Sequence, residues 1–90
     1  MSNGLQKVKK DIKSKILVHA RPAALISQTA KSFDCKTTIL FKDKTINAQS
    51  IMQLVTSGID KGDLVTLKVG GKDAKMALEV LEAIFKGLTP

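Results

Sequence analysis

The sequence contains no tryptophan, no tyrosine and three phenylalanines. Its only cysteine is Cys35 and its only histidine is His19, which excludes a disulfide bond within the chain and a metal site built from several thiolates or imidazoles. No metal ion or cofactor is expected. The apolar runs are far shorter than the roughly 20 residues that span a bilayer, and no apolar segment follows the charged N-terminus. These absences predict a cytoplasmic protein that does not insert into a membrane.

The length and composition predict one globular domain. Ninety residues can build a modest core but not two, so the domain covers residues 1–90, with residues 1–6 as a loose leader. A hydrophobic fraction of 43% with 26% charged residues is typical of a folded chain rather than a disordered one.

The net charge of +7 is the most unusual bulk property. Lysines are concentrated in the first fifteen residues, and such a cluster can attract nucleic acid, an anionic membrane or the acidic surface of a protein partner. A solvated basic surface without a specific ligand is an equally good interpretation. With one arginine and few aromatic rings, the chain has little capacity to read or stack on bases, so we expect no nucleic-acid partner.

Hydrophobic periodicity predicts the first four elements. Val8 and Ile12 lie among lysines, as is typical of an edge strand. Pro22 suits the first turn of a helix, and the apolar residues after it recur at helical spacing. The segment "KTTILFKDKTIN" then predicts two strands joined by a turn at Lys42 and Asp43.

The second half of the chain predicts three more elements. A two-turn helix lies between Ser50 and Gly58, "LVTLKV" alternates as a strand with one buried face, and a last helix runs from an N-cap at Asp73 to Gly87. The order β-α-β-β-α-β-α contains two split β-α-β units. It predicts an α+β open-faced β-sandwich, in which three helices cover one face of a four-stranded antiparallel sheet.

His19 stands directly before the predicted first helix. The first amide groups of a helix lack intrahelical acceptors and favour an anion, most often phosphate. Arg21 can add a charge-assisted hydrogen bond to a phosphoryl oxygen. A nucleophilic imidazole, free amide donors and a cation within three residues are the groups needed to hold a phosphoryl group covalently for a short time.

Ser50 begins the second helix, and its spacing to Gln53 is that of a capping box. The helix that follows has apolar residues around more than one face, so some of them must be exposed as a docking surface. A phosphate on Ser50 would be compatible with the helix start and would place about −2 charge beside that surface. Ser50 is therefore either a plain N-cap or a regulatory switch.

The stretches "LVHARPAALISQTAKSF", "NAQSIMQL" and "SGIDKGDLVTLKVGG" closely resemble the histidine-containing phosphocarrier (HPr) family of the bacterial sugar phosphotransferase system. The resemblance runs without gaps from about Lys7 to Leu88. It implies that His19 accepts a phosphoryl group from enzyme I, the phosphoenolpyruvate-dependent kinase, and passes it to sugar-specific IIA domains. Arg21 and the amides of Ala20 and Arg21 would contact the phosphoryl group. The chain would be a monomeric carrier rather than an enzyme with its own turnover.

The same resemblance implies further partners. Ser50 would be phosphorylated by an HPr kinase/phosphorylase and recognised by a catabolite regulator. The residues implied in partner docking lie on the first two helices: Ala24, Ser27, Gln28, Lys31, Gln49, Ile51, Met52 and Val55. The family usually has glycine two residues before the histidine. Leu17 occupies that position here and predicts a different path for the loop, because glycine permits backbone conformations that leucine enters reluctantly.

Two alternatives remain open from the sequence. One is a regulatory HPr-like module that acts mainly through Ser50 and partner binding, with slow transfer at His19 because of Leu17. The other is a basic nucleic-acid-binding or membrane-surface-binding domain that only shares the fold. The second leaves the His-Ala-Arg-Pro segment and Ser50 without a role.

Overall fold

The computed structural model of the chain describes residues 6–88. Four strands and three helices alternate in the predicted order: β1 (Gln6–Lys13), α1 (Ala20–Ser32), β2 (Cys35–Phe41), β3 (Lys44–Asn47), α2 (Ile51–Val55), β4 (Leu64–Gly71) and α3 (Ala74–Phe85). Residues 1–5 of the predicted leader lie outside the described residues. Gln6 is the first residue of β1, so the leader was extended one residue too far.

The strands form one antiparallel sheet in the order β1-β4-β2-β3. The last strand in sequence therefore lies between the first and second, and β1 is an edge strand as predicted. The central strands alternate strictly: Val65, Leu67 and Val69 of β4 are buried, while the residues between them face the other way. The sheet thus has one face in the core and one face in solvent.

The helical layer covers the inner face of the sheet. Ile26 and Ala30 of α1, Leu54 of α2, and Leu81 and Phe85 of α3 are fully buried. They pack with inner-face residues of the sheet in a single hydrophobic cluster. This arrangement confirms the α+β open-faced β-sandwich with a four-stranded antiparallel sheet. No described helix combines the length and apolar composition needed to cross a membrane.

Two close contacts join the end of β4 and the start of α3 to the backbone of Asp34, just before β2. Gly71 ends β4 with a φ of +139°, and a Cβ atom there would lie 2.6 Å from the carbonyl oxygen of Asp34. Only glycine fits such a close backbone approach. Asp73 precedes α3 as predicted, but its carboxylate makes no cap within the helix. Instead it accepts a 2.9 Å hydrogen bond from the amide of Asp34, which ties the start of α3 to the start of β2.

Candidate functional site

His19 is the N-cap residue of α1, and its ring takes part in the cap. The Arg21 amide donates to Nδ1 of His19 at 3.4 Å, and the amide of Ala23 donates to the His19 carbonyl oxygen at 2.9 Å. An amide donor facing Nδ1 pairs with a lone pair on that nitrogen, which is the tautomer that carries its hydrogen on Nε2. The unprotonated Nδ1 therefore lies at the positive end of the helix dipole, where a phosphate group is stabilised.

The backbone before His19 is held by two hydrogen bonds to distant parts of the chain and by burial of Val18. The Val18 amide donates to the carbonyl oxygen of Ile59 at 3.0 Å, and the Lys15 amide donates to that of Phe85 at 2.8 Å. Val18 is only 3% exposed. His19 itself is exposed. The loop therefore presents an accessible imidazole from an anchored backbone.

Leu17 introduces no backbone strain. Among the non-glycine residues from 6 to 88, Lys42 alone has a positive φ, so the φ of Leu17 is an ordinary negative one. The Leu17 carbonyl oxygen accepts a 3.0 Å hydrogen bond from the His19 amide, and its side chain is 46% exposed. Leucine is thus accommodated without a positive φ, and the expectation that this loop follows a different path from that of relatives with glycine there stays a prediction.

An open cleft of about 210 Å³ lies beside His19. It brings Arg21 to the same site, as predicted. The other residues that line the cleft are Ile16, Pro22, Leu25, Ile84 and Gly87. The sequence did not indicate this set, because Ile84 and Gly87 come from the far end of the chain. Ser50 does not line this cleft, so the two predicted phosphate sites are separate.

Ser50 caps α2, with its hydroxyl oxygen accepting a 3.2 Å hydrogen bond from the Gln53 amide. The reciprocal half of the predicted capping box does not form. The Gln53 side chain instead accepts a 2.8 Å hydrogen bond from the Asn47 amide, through Oε1. Met52 is 72% exposed and the neighbouring Ile51 is 45% exposed, as expected for a helix whose apolar residues cannot all be buried.

The predicted docking residues lie on α1 and on or just before α2, and the two helices contact each other. Gln28 and Lys31 on α1 are exposed, Ala24 is half-buried, and Gln49, Ile51, Met52 and Val55 are exposed around α2. Ser27 differs, because it is 1% exposed and its hydroxyl donates to the Gln49 carbonyl oxygen at 2.8 Å. The prediction that the Ser27 side chain forms part of a contact surface is therefore wrong, because its hydroxyl is buried and holds the backbone just before α2.

Within residues 6–88, no group of three or more His, Cys, Asp or Glu side chains is arranged to hold a metal ion. The nucleophilic nitrogen, the amides and the guanidinium group at the start of α1 are the described groups that can do chemistry in this cleft. A nucleophilic nitrogen beside free amides and a cation is suited to covalent attachment of an anionic group.

Comparison with known proteins gives a consistent result. The family model described as "PTS HPr component phosphorylation site" matches residues 7–87. The chain is 38% identical to the phosphocarrier protein HPr of Buchnera aphidicola subsp. Acyrthosiphon pisum over 71 aligned residues. The alignment covers 79% of this chain and 84% of that protein. The chain is 39% identical to the phosphocarrier protein HPr of Vibrio cholerae over the same length, with the same two shares.

The fold is similar to a solved structure of the same kind. The crystal structure of a phosphocarrier protein HPr from Bacillus anthracis superposes with a TM-score of 0.82 at 38% sequence identity, and the match covers 89% of this chain and 98% of that one. The family model spans nearly the whole chain, and both relatives align with 79% of it at 38% and 39% identity. The chain therefore belongs to the HPr family of histidine-containing phosphocarrier proteins of the phosphotransferase system.

Proposed function

We propose that this HPr-family phosphocarrier holds its phosphoryl group on Nδ1 of His19. The observation that carries the proposal is the hydrogen bond from the Arg21 amide to Nδ1, because it identifies the unprotonated ring nitrogen and points it toward the helix start. HPr-family proteins receive the group from enzyme I and deliver it to IIA domains. The carrier is modified and then restored, so it has no turnover of its own.

The step begins with the Nδ1 lone pair attacking the phosphorus of a phosphohistidine on enzyme I. A new P–N bond forms to His19 as the P–N bond of the donor breaks, and the donor imidazole keeps the electron pair. The Arg21 amide, no longer bonded to a lone pair on Nδ1, donates to a phosphoryl oxygen together with the amide of Ala20. The guanidinium group of Arg21, which lines the same cleft, adds a charge-assisted hydrogen bond.

The second half of the cycle reverses these contacts. A histidine of a IIA domain attacks the phosphorus on the exposed side of the group, and Nδ1 recovers its lone pair. The amide donors hold the phosphoryl group at the helix start through hydrogen bonds, and contacts that persist while the P–N bond breaks also stabilise the transition state. The anchored loop at Val18 keeps the imidazole in one position for both partners.

We also propose that partners dock on α1 and α2. Ile51, Met52 and Val55 of α2 are exposed apolar side chains, and Gln28 and Lys31 are exposed on α1, the helix that contacts α2. Together they would give a docking surface with apolar, polar and basic parts. Acidic surfaces on the partners would be attracted by the net charge of +7. We infer that the carrier acts as a monomer in the cytoplasm, where enzyme I and the IIA domains meet it in turn.

A regulatory role of Ser50 is favoured by its position. Its hydroxyl lies at the start of α2, directly before the exposed apolar residues of the docking surface. An HPr kinase/phosphorylase would place a phosphate where helix amides accept it, and a catabolite regulator would recognise the added charge. The same charge would make the apolar surface less suitable for enzyme I.

Incubation of the chain with enzyme I and phosphoenolpyruvate tests the main proposal. We expect one acid-labile phosphate per molecule, which mass spectrometry places on His19, and no label in His19→Ala. Ser50→Ala is the matched control and should be labelled like the wild type. Absence of label in the wild type, beside an active control carrier, would overturn the assignment.

A further inference from the structure

The uncovered face of the sheet carries lysines that phosphoryl transfer at His19 does not use. Strand alternation places Lys7 and Lys9 on the side of β1 opposite to the buried Ile12. Lys68 of β4 and Lys36 of β2 lie on the same side, and all four lysines are exposed. We call the depression between Lys7, Lys9, Lys36 and Lys68 the lysine cleft.

The strand register explains why these four side chains surround one depression. Lys9 is paired with Lys68, while Lys7 and Lys36 are both paired with Gly70, from opposite sides. Neighbouring strands are about 4.8 Å apart, so the backbones at Lys7 and Lys36 are separated by about 10 Å. Gly70 places no side chain between them. The result is an open cleft of about 360 Å³.

Among residues 6–88, no carboxylate lines the lysine cleft. Both ion pairs found among residues 6–88 use Glu82, which belongs to α3 in the helical layer. Asp11 is the acidic residue of β1 on the uncovered face, and it is hydrogen-bonded to the hydroxyl of Thr66 at 2.7 Å. Like charges directly opposite each other on adjacent strands are unfavourable. The ammonium groups of Lys9 and Lys68 therefore repel each other, and a bound anion would reduce this repulsion.

We propose that the lysine cleft binds a small anion that carries two or more phosphoryl groups. Its volume lies in the range of small-molecule sites. Lysine ammonium groups bind phosphate as point charges, and four of them on strands whose outer members are about 10 Å apart can contact more than a single phosphate. The hydroxyl of Thr38, which also lines the cleft, is a further hydrogen-bond donor.

A nucleic-acid strand fits this face less well than a small oligophosphate. Binding of single strands depends on aromatic rings that stack on the bases. Phe41 and Phe85 are buried in the core and Phe33 is packed against it, so none of the three offers a stacking platform on the uncovered face. Arg21, the only arginine, lies at the His19 cleft. The lysine cleft can therefore bind phosphoryl groups but has no means to bind bases.

The lysine cleft and the His19 cleft have no lining residue in common. One is built on the uncovered face of β1, β4 and β2, and the other lies between the start of α1 and the end of α3. An oligophosphate on the sheet would therefore leave His19 and the docking surface accessible. Binding there is independent of the phosphoryl group on His19.

The proposal is tested by titrating the full-length chain with inorganic tripolyphosphate while recording the amide resonances by NMR. We expect saturable shifts at Lys7, Lys9, Lys36, Lys68 and Gly70, and none at the start of α1. Orthophosphate should bind about tenfold more weakly, because it cannot contact both lysine pairs at once. The affinity for tripolyphosphate should fall as potassium chloride is raised.

A double variant separates the lysine cleft from general charge. Lys9→Gln with Lys68→Gln should weaken tripolyphosphate binding by about tenfold or more, while its melting temperature stays the same or rises. Lys61→Gln with Lys75→Gln removes the same charge from exposed positions outside the cleft and should change the affinity by less than about threefold. Lys7→Gln with Lys36→Gln gives an independent second removal of cleft charge.

Three results would overturn the proposal. One is equal weakening in the cleft variants and the control, which would reduce the effect to net charge. Another is the absence of saturable shifts on the sheet with tripolyphosphate. The third is tighter binding of a single-stranded oligonucleotide than of tripolyphosphate at the same amides, which would assign the face to nucleic acid.

Discussion

The buried hydroxyl of Ser27 donates a 2.8 Å hydrogen bond to the carbonyl oxygen of Gln49, and so connects α1 to the residue before the Ser50 cap. The side chain of Gln49 adds a second connection, because its Nε2 donates to the carbonyl oxygen of Ala30 at 3.4 Å. A helix of five residues has little stability of its own. The position of α2, and with it the proposed docking surface, therefore depends on these two contacts with α1.

Ser27→Ala is expected to lower the free energy of unfolding by about 1–2 kcal/mol, because the Gln49 carbonyl oxygen loses its donor in a poorly hydrated place. Urea denaturation measures the change. Ser32→Ala is the control on the same helix: its hydroxyl donates to the Thr29 carbonyl oxygen in an exposed position, and the expected change is below about 0.5 kcal/mol. Equal losses in the two variants would show that the buried bond has no special role.

Two substitutions at Ser50 separate capping from regulation. Ser50→Ala removes the hydroxyl that accepts from the Gln53 amide, so the free energy of unfolding should fall by about 1 kcal/mol while phosphoryl transfer continues. Ser50→Asp keeps an N-cap acceptor, so stability should be retained, but the carboxylate adds charge beside exposed Ile51. We expect Ser50→Asp to raise the KM for the carrier in the enzyme I assay. Unchanged transfer in Ser50→Asp together with normal stability would contradict the regulatory proposal.

Glu82 predicts a pH-dependent contribution to stability. Its carboxylate oxygen Oε2 lies 2.7 Å from Nζ of Lys10 and 2.9 Å from Nζ of Lys86, and the two ammonium groups, Lys10 first, hold the pKa of Glu82 below its ordinary value of 4.5. A lowered pKa in the folded state stabilises the fold above the pKa of the unfolded state. The stabilisation is lost as the pH falls through the lower pKa of the folded state.

Glu82→Gln should therefore melt at a lower temperature than the wild type at neutral pH, with a difference that closes as the pH is lowered below 4.5. Thermal denaturation followed by circular dichroism over a pH series measures this difference. Glu79→Gln removes an exposed carboxylate from the same helix and should leave the melting temperature nearly unchanged throughout. A difference for Glu82→Gln that persists in acid would show that the two ion pairs are not its cause.

Local patterns predicted the elements of this fold because each depends on residues that are close in sequence. The alternation around Ile39 and Phe41 predicted one buried face of β2, and both are buried. His19, followed by Pro22, predicted the start of α1, which begins at the residue after His19. In these cases burial and helix start are properties of a single element, and the sequence pattern is sufficient.

The errors arose where a polar side chain has two competing partners. Gln53 and Asp73 are both placed where a local cap was expected, yet Gln53 accepts from the Asn47 amide and Asp73 from the Asp34 amide. Ser27 was expected on a contact surface, but its partner is 22 residues away in the sequence. Such choices depend on which elements are adjacent in the fold, and periodicity carries no information about that.

Leu17 provides the test between a competent carrier and a module that acts mainly through Ser50. Because the φ of Leu17 is ordinary, replacement by glycine has no backbone strain to relieve. We expect Leu17→Gly to lower the free energy of unfolding by about 0.5–1 kcal/mol, through greater freedom of the unfolded chain. The transfer rate from enzyme I, measured by rapid-quench labelling, should change by less than about threefold.

Leu17→Ala completes this experiment, since it removes the exposed side chain and keeps a backbone restricted by a Cβ atom. If both variants transferred about tenfold faster than the wild type, the side chain of Leu17 would be obstructing the partner. The two variants both lack that side chain but differ in backbone freedom, so a shared gain could not come from the backbone. If only Leu17→Gly were faster, the loop path itself would be limiting, and the regulatory alternative would gain support. Unchanged rates in both variants mean that the hydrogen bond from the His19 amide to the Leu17 carbonyl oxygen already holds the loop in a transfer-competent conformation.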